Sequence, residues 1–167
     1  MTGLRTVLLI AATMTTGLVA GVFGLYSHTV MPGLGRTDDR TFVGAFQAMD
    51  RAIINPWFMA GFLGALLFTA ASVLVHLPRD ARGPLPWIIV ALVLYVIAFA
   101  ITIAVNVPLN DALKAAGDPD TIGDLAAVRS RFDEARWAAW NLVRTITSTV
   151  AFATLCWALV TSGRQIG

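Results

Sequence analysis

The residues best suited to chemistry sit where the last long apolar run begins. Residues 136–144 read Arg-Trp-Ala-Ala-Trp-Asn-Leu-Val-Arg. Trp137, Trp140, Asn141, Arg144 and Ser148 fall at helical offsets 0, 3, 4, 7 and 11. On a helix, two indoles, an amide, a guanidinium and a hydroxyl would therefore share one stripe. Such a stripe can stack against flat rings and stabilise an anionic oxygen, because a cation in a water-poor site attracts charge far more strongly than in water. Arg144 lies about one turn inside the indole belt, a depth that costs a few kcal/mol unless the side chain faces the interior, pairs or snorkels. We expect it to face a polar cavity; snorkelling to headgroups is the plainer alternative.

A second group, Asn106, Pro108, Asn110 and Asp111, closes the third apolar run. Two amides and a carboxylate around a proline suit a helix end that opens onto a cavity, and equally an ordinary cap and turn. Asp111 is the expected partner for Arg144 or Arg136. The first apolar run ends at His28, with Gly17, Gly21 and Gly24 behind it at 4-3-4 spacing. Small residues so placed admit a neighbouring helix or a flat ligand; helix packing alone is the simpler reading. His28 lies at the interface, where mere solvation is the plainer reading; its neutral imidazole is nevertheless the evident general base on this side. Asn55, just before the second run, would bring a fourth helix to the same end. His76 lies at the other end, beside a basic turn, and reads as interfacial.

The elements that must position these groups are four apolar runs, about residues 7–26, 57–77, 87–107 and 142–161. Each is long enough, at about 1.5 Å per residue, to cross a hydrocarbon core of about 30 Å as a helix. The expected fold is all-α and membrane-embedded, one domain over residues 1–167: a four-transmembrane-helix bundle with an extra amphipathic helix after span one and a long helical extension before span four. The amphipathic helix is expected from Asp39 to Ile54, with Phe42, Phe46, Met49 and Ile53 on its apolar face. A weak capping pair, Thr121 and Asp124, predicts a helix from about Thr121 that runs straight into span four, with Leu125, Val128, Phe132 and Ala135 as its apolar stripe. Spans two and three are joined by a short turn rich in proline. Arg5, Arg79, Arg82 and Arg164 lie in very short segments near span ends, so density of basic residues places both termini in the cytoplasm and the bundle in the cell membrane. Raw count of basic residues points the other way, since the long loops carry more of them.

Composition narrows the function classes. The chain is 57% hydrophobic and 13% charged, well away from soluble domains. Its basic residues form no stripe, so nucleic acid is not an expected partner. A single cysteine and two histidines leave no thiolate cage and no paired-histidine metal motif. No phosphate loop or dinucleotide fingerprint occurs. The spans lack the row of acidic residues that proton-coupled carriers often use.

Three segments carry a resemblance: Asn55-Pro-Trp-Phe58, Asn106-Val-Pro-Leu-Asn-Asp-Ala-Leu113 and the Arg136–Arg144 block. In order and spacing they resemble the hallmark segments of the anthrone oxygenase-like family of small four-span membrane proteins. The resemblance implies oxidation of an anthrone to an anthraquinone by O₂ with no organic cofactor, which fits the absence of flavin, haem and metal motifs from the sequence. On that footing His28 would be the base, with Arg144 and Asn141 stabilising an enolate. Asn55, Asn106, Asn110, Asp111 and Arg136 would line the substrate site, and Trp137 and Trp140 would stack on its rings. Two other classes stay open: a non-catalytic protein that binds a lipid, quinone or partner helix at the same mouth, and a small transporter. The expected partners are membrane lipids, a hydrophobic small molecule and other copies of the chain.

Overall fold

A computed structural model of the chain describes residues 2–164; Met1 and residues 165–167, Gly167 among them, lie outside that range. The described residues are helical almost throughout, and four helical stretches, Gly3–Leu34, Pro56–Val75, Leu85–Ala115 and Leu125–Gly163, are long and apolar enough to cross a membrane. The element order is α1 (Thr2–Leu25), a π-helical turn (Tyr26–Val30), α2 (Met31–Leu34), α3 (Asp39–Ile53), α4 (Pro56–Val75), α5 (Leu85–Ile101), a second π turn (Thr102–Asn106), α6 (Val107–Ala115), α7 (Leu125–Phe132) and α8 (Glu134–Gly163), with one 3₁₀ turn (Arg79–Ala81) between α4 and α5. The chain is an integral membrane protein built as a four-helix bundle. It carries an amphipathic helix after the first span and a helical extension before the fourth.

The two π turns share one cause. Pro32 and Pro108 each lack an N–H, and each ring would crowd the carbonyl four residues earlier. Those carbonyls, of His28 and Ala104, lie inside the π turns. In each case the residue just before the proline donates one position further back than in an α-helix, Met31 to Tyr26 and Val107 to Thr102. The helix widens by one residue instead of breaking, a device common at functional sites. Spans one and three therefore continue past their expected ends.

The buried residues of α8 are Trp137, Asn141, Arg144, Ser148, Ala151, Leu155 and Ala158. They follow strict 4-3 spacing, the narrow seam of a coiled coil. The lower part of this seam packs with Leu9 and Ala12 of α1 and Ile88 and Ala91 of α5 in one fully buried cluster. The start of α1, the start of α5 and the end of α8 thus lie together. Gly17 faces α8: a Cβ there would come within 2.8 Å of the Phe152 ring, while one at Gly24 would only touch Thr145 at 3.8 Å.

The long loops fold over the other end. In α3 the buried face is Phe42, Val43, Phe46, Gln47 and Asp50, not the expected Phe42, Phe46, Met49 and Ile53. The stripe is rotated because Phe42, Val43 and Phe46 pack on Leu113, Phe132 and Trp137, and the Gln47 amide donates to the carbonyls of Leu113 and Gly117 at 2.9 and 3.0 Å. Arg129 of α7 ties the loops together: it bonds Asp39 and Glu134 at 3.0 and 3.2 Å and lies 4.3 Å over the Phe42 ring. The helix expected from Thr121 into span four is interrupted. Asp124 caps α7 by accepting from Ala127 N–H, whereas the Thr121 hydroxyl donates to Asp118 C=O. Asp133 then turns left-handed at φ 53° and caps α8 by accepting from Arg136 N–H at 3.2 Å. An aspartate tolerates that backbone where most residues do not.

Candidate active site

Beneath this roof lies a cavity of about 250 Å³. Phe23 and Tyr26 of span one, Phe46 and Asp50 of α3, Phe58 and Phe62 of α4, Thr102 and Asn110 of span three, and Trp137, Asn141 and Arg144 of α8 are among its walls. Ile54, Ile103 and Val107 also line it and are themselves exposed. The cavity therefore reaches an apolar surface sideways, between the start of α4 and the end of span three, and it is also lined by Asp111 and Lys114, whose side chains are 60% and 27% exposed.

Arg144 is the dominant charge. It is 5% exposed, which excludes snorkelling. Nη2 donates to Asn141 Oδ1 at 2.7 Å and Nη1 to Thr102 Oγ1 at 3.1 Å. Its guanidinium lies 4.3 Å over the Phe23 ring and 5.5 Å from that of Trp137. Nε is buried and finds no partner, and Arg144 forms no ion pair among the described residues. Asn141 is oriented from its other end, where Nδ2 donates to Ser27 Oγ at 2.7 Å and Phe23 C=O at 3.1 Å. A buried cation without a counter-ion costs several kcal/mol; two neutral acceptors and two ring faces offset part of this. What the arrangement lacks is an anion.

A second network runs from the roof. Asp50 Oδ1 accepts from Asn110 Nδ2 at 2.7 Å, and Asn110 Oδ1 accepts from Trp137 Nε1 at 2.7 Å. Asp50 Oδ2 pairs with Lys114 at 2.9 Å. The two networks meet at Trp137, whose backbone carbonyl accepts from Asn106 Nδ2 at 3.3 Å.

Five of the expected residues line this cavity: Asn110, Asp111, Trp137, Asn141 and Arg144. Five do not. His28 is exposed and its Nδ1 bonds the Thr29 hydroxyl at 2.7 Å. Of the glycine face behind it, Gly17 is closed by Phe152, whereas Gly21 has nothing within 4 Å and Gly24 only Thr145 at 3.8 Å. Asn55 caps α4, accepting from Trp57 and Phe58 N–H at 3.0 Å. Asn106 is buried behind Trp137, with Oδ1 unpartnered. Arg136 and Trp140 are exposed, since the 4-3 seam of α8 is too narrow to include them. Asp111 pairs with Lys114 at 2.9 Å rather than with Arg144 or Arg136, because it is exposed and one helical turn from that lysine on α6.

Sequence reasoning overlooked Tyr26, Asp50, Thr102 and Lys114. Asp50 had a signal: with Val43, Phe46 and Gln47 it completes a 3-1-3 helical stripe. Lys114 had another, as the lone lysine one turn beyond Asn110 and Asp111. Thr102 had none, for its role depends on where the π turn rotates it.

Fold and site together define a small polytopic helical membrane protein with a largely apolar pocket that holds a buried guanidinium without an ion-pair partner among the described residues. Residues 51–154, more than half the chain, match the family described as anthrone oxygenase, and the chain belongs to that family. No curated protein and no solved structure matches the chain. The matched segment contains Asn110, Lys114, Trp137, Asn141 and Arg144 but starts one residue after Asp50.

Proposed function

We propose that the protein is an oxygenase that converts an anthrone-like polycyclic phenol to the corresponding quinone with O₂, using no cofactor. The observation that carries this reading is the buried, unpaired guanidinium of Arg144 among aromatic walls. Removing a proton from the ring CH₂ of an anthrone leaves its electron pair in an enolate. The enolate oxygen would sit against Arg144, where fixed donors in a dry site stabilise developing charge best. Asn141 and Thr102 hold the guanidinium in place for it. An electron-rich enolate reacts with O₂ directly, giving a peroxide at the former CH₂ carbon. Loss of water from the peroxide leaves the second carbonyl. One oxygen atom remains in the quinone and the other leaves in water, so no external reductant is needed.

The cavity's volume supports a fused-ring substrate. Ligand pockets run from about 300 to 1,000 Å³, and this one, at about 250 Å³, is at the small end and has room for a few flat rings. Its sideways opening would take such a molecule from the bilayer. The basic short segments favour a cell-membrane protein with both termini cytoplasmic, surrounded by lipid and free to associate with further copies.

Protein purified in detergent should speed O₂ uptake by an anthrone without added metal or flavin, and Arg144→Ala should lose roughly 10²-fold or more of the rate. Equal rates for wild type, Arg144→Ala and buffer across several anthrones would end the oxygenase reading. Saturable binding of a hydroxylated anthraquinone without turnover would instead favour a non-catalytic carrier of planar anions, the second reading that an unpaired Arg144 permits.

A further inference from the structure

Enolate formation needs a proton acceptor inside the cavity, and His28 is not there. Asp50 is. It sits in the last turn of α3, is 7% exposed and lines the cavity. Its partner Lys114 is the outer member of the pair, with a side chain 27% exposed. A pair made only for surface solubility leaves both groups in water; here the acid is the inward group and the lysine the outward one. Each carboxylate oxygen has two lone pairs, and Asn110 and Lys114 each engage one oxygen from the protein side. Acceptor capacity therefore remains.

Asp50 and Arg144 carry opposite charges, line one cavity and still do not pair: no contact within 4.0 Å joins them among the described residues. They come from different parts of the fold, α3 in the roof and the middle of α8. Oppositely charged groups that line one cavity without pairing, Asp50 being held by Lys114 instead, suit a molecule with an anionic oxygen at one edge and an acidic hydrogen at the other. In an anthrone the carbonyl and the CH₂ lie on opposite edges of the central ring.

We propose that Asp50 is the catalytic proton acceptor; this rests on the oxygenase reading above and adds to it the group that starts the reaction. The C–H proton passes to a carboxylate oxygen of Asp50, and the C–H electron pair enters the enolate at Arg144. After O₂ has added, the peroxide anion takes the proton back from Asp50; the freed carboxylate then accepts the second C–H proton as the carbonyl forms and the O–O bond breaks, and the expelled hydroxide takes that proton and leaves as water. The carboxylate is regenerated and the site's net charge is the same before and after. Asn110 and Lys114 are positioning residues that hold the carboxylate. The substrate class narrows accordingly: a carbonyl compound with an acidic hydrogen on the opposite ring edge.

Deuterium exchange without oxygen tests the step alone. Wild-type protein in D₂O, under argon, should exchange the CH₂ hydrogens of anthrone faster than buffer, as read by mass spectrometry. Asp50→Asn should lower the catalysed exchange by roughly 10²-fold or more, while quenching of tryptophan emission by anthraquinone, a measure of binding, changes less than about threefold by the same reasoning. Exchange by Asp50→Asn at the wild-type rate overturns the assignment and leaves the oxygenase reading standing. O₂ uptake by wild type with no anaerobic exchange overturns it too. Neither O₂ uptake nor exchange by wild type removes the oxygenase reading, and Asp50's role with it. Should Asp50→Asn fail to fold, Asp50→Glu decides: displacing the carboxylate by one methylene should slow exchange at least about tenfold with anthraquinone binding retained, and an unchanged rate overturns the proposal.

Discussion

The two ends of the bundle solve the packing of four helices in opposite ways. At the short-turn end, Leu9, Ala12, Ile88, Ala91, Ala151, Leu155 and Ala158 have no exposed surface. Small residues let the helix backbones approach closely, which is how helices associate where lipid removes the hydrophobic drive between them. Charged and imidazole groups there find partners close by: Arg5 donates to Val75 C=O and Asp80 at 2.9 and 2.8 Å, and the buried His76 bonds Ser72 C=O through Nδ1 at 2.7 Å, while the buried Ser72 hydroxyl has no partner. At the long-loop end the seam changes to Trp137, Asn141 and Arg144. Aromatic rings hold the helices apart, three loop helices close the top, and a guanidinium is left without an anion. One end spends its residues on contact and the other on a cavity, the opposition expected between stability and function.

The largest expected effect breaks the open end. Arg144→Met should abolish catalysed O₂ uptake, a loss of roughly 10²–10³-fold. Its melting temperature in detergent should fall less than that of a closed-end mutant, because relief of an unpaired buried charge offsets the two hydrogen bonds lost. Leu155→Ala should do the converse. It leaves a void in a fully buried cluster and should cost about 2–5 kcal/mol in reversible unfolding, with kcat/KM near wild type. If instead Leu155→Ala lost activity and kept stability, the contrast between the ends would be wrong.

Ile103→Trp sharpens the contrast at the sideways opening. A larger ring at this exposed lining position should raise KM for an anthrone several-fold with little change in kcat, as expected when only access and ground-state binding suffer. A smaller effect belongs to the closed end. The Arg5 hydrogen bond holds the Asp80 carboxyl below the usual carboxylate range. A depressed native pKa stabilises the fold above the unfolded-state pKa, about 3.9, and that contribution is lost as pH falls through the native value. Asp80→Asn should therefore flatten the melting temperature slightly on the acid side and leave neutral-pH activity intact. Arg82→Ala should be silent in both assays, since exposed Arg82 only caps Leu77 C=O.

Much of this was legible in the sequence by itself. Four apolar runs of spanning length determine helices, because a chain in lipid must pair its backbone groups within each segment. The spacing of Trp137, Asn141 and Arg144 placed them on one face before any neighbour was known. The Asn106–Leu113 and Arg136–Arg144 blocks carried the family. What only the tertiary structure decided is which residues of each stripe face the cavity. Helical periodicity leaves a face uncertain by a residue or so, and here that residue matters: it separates Trp137 from Trp140 on α8 and brings Asp50 into the buried stripe of α3. The π turns at Tyr26–Val30 and Thr102–Asn106 shift register by one position, which a 3.6-residue period does not anticipate. Partner choice was decided the same way. Asp111 belongs to the same end of the bundle as both arginines and so could be paired with either, but the fold gives it to Lys114 and leaves Arg144 without an ion pair, because ion pairs depend on where side chains end and not on where they begin.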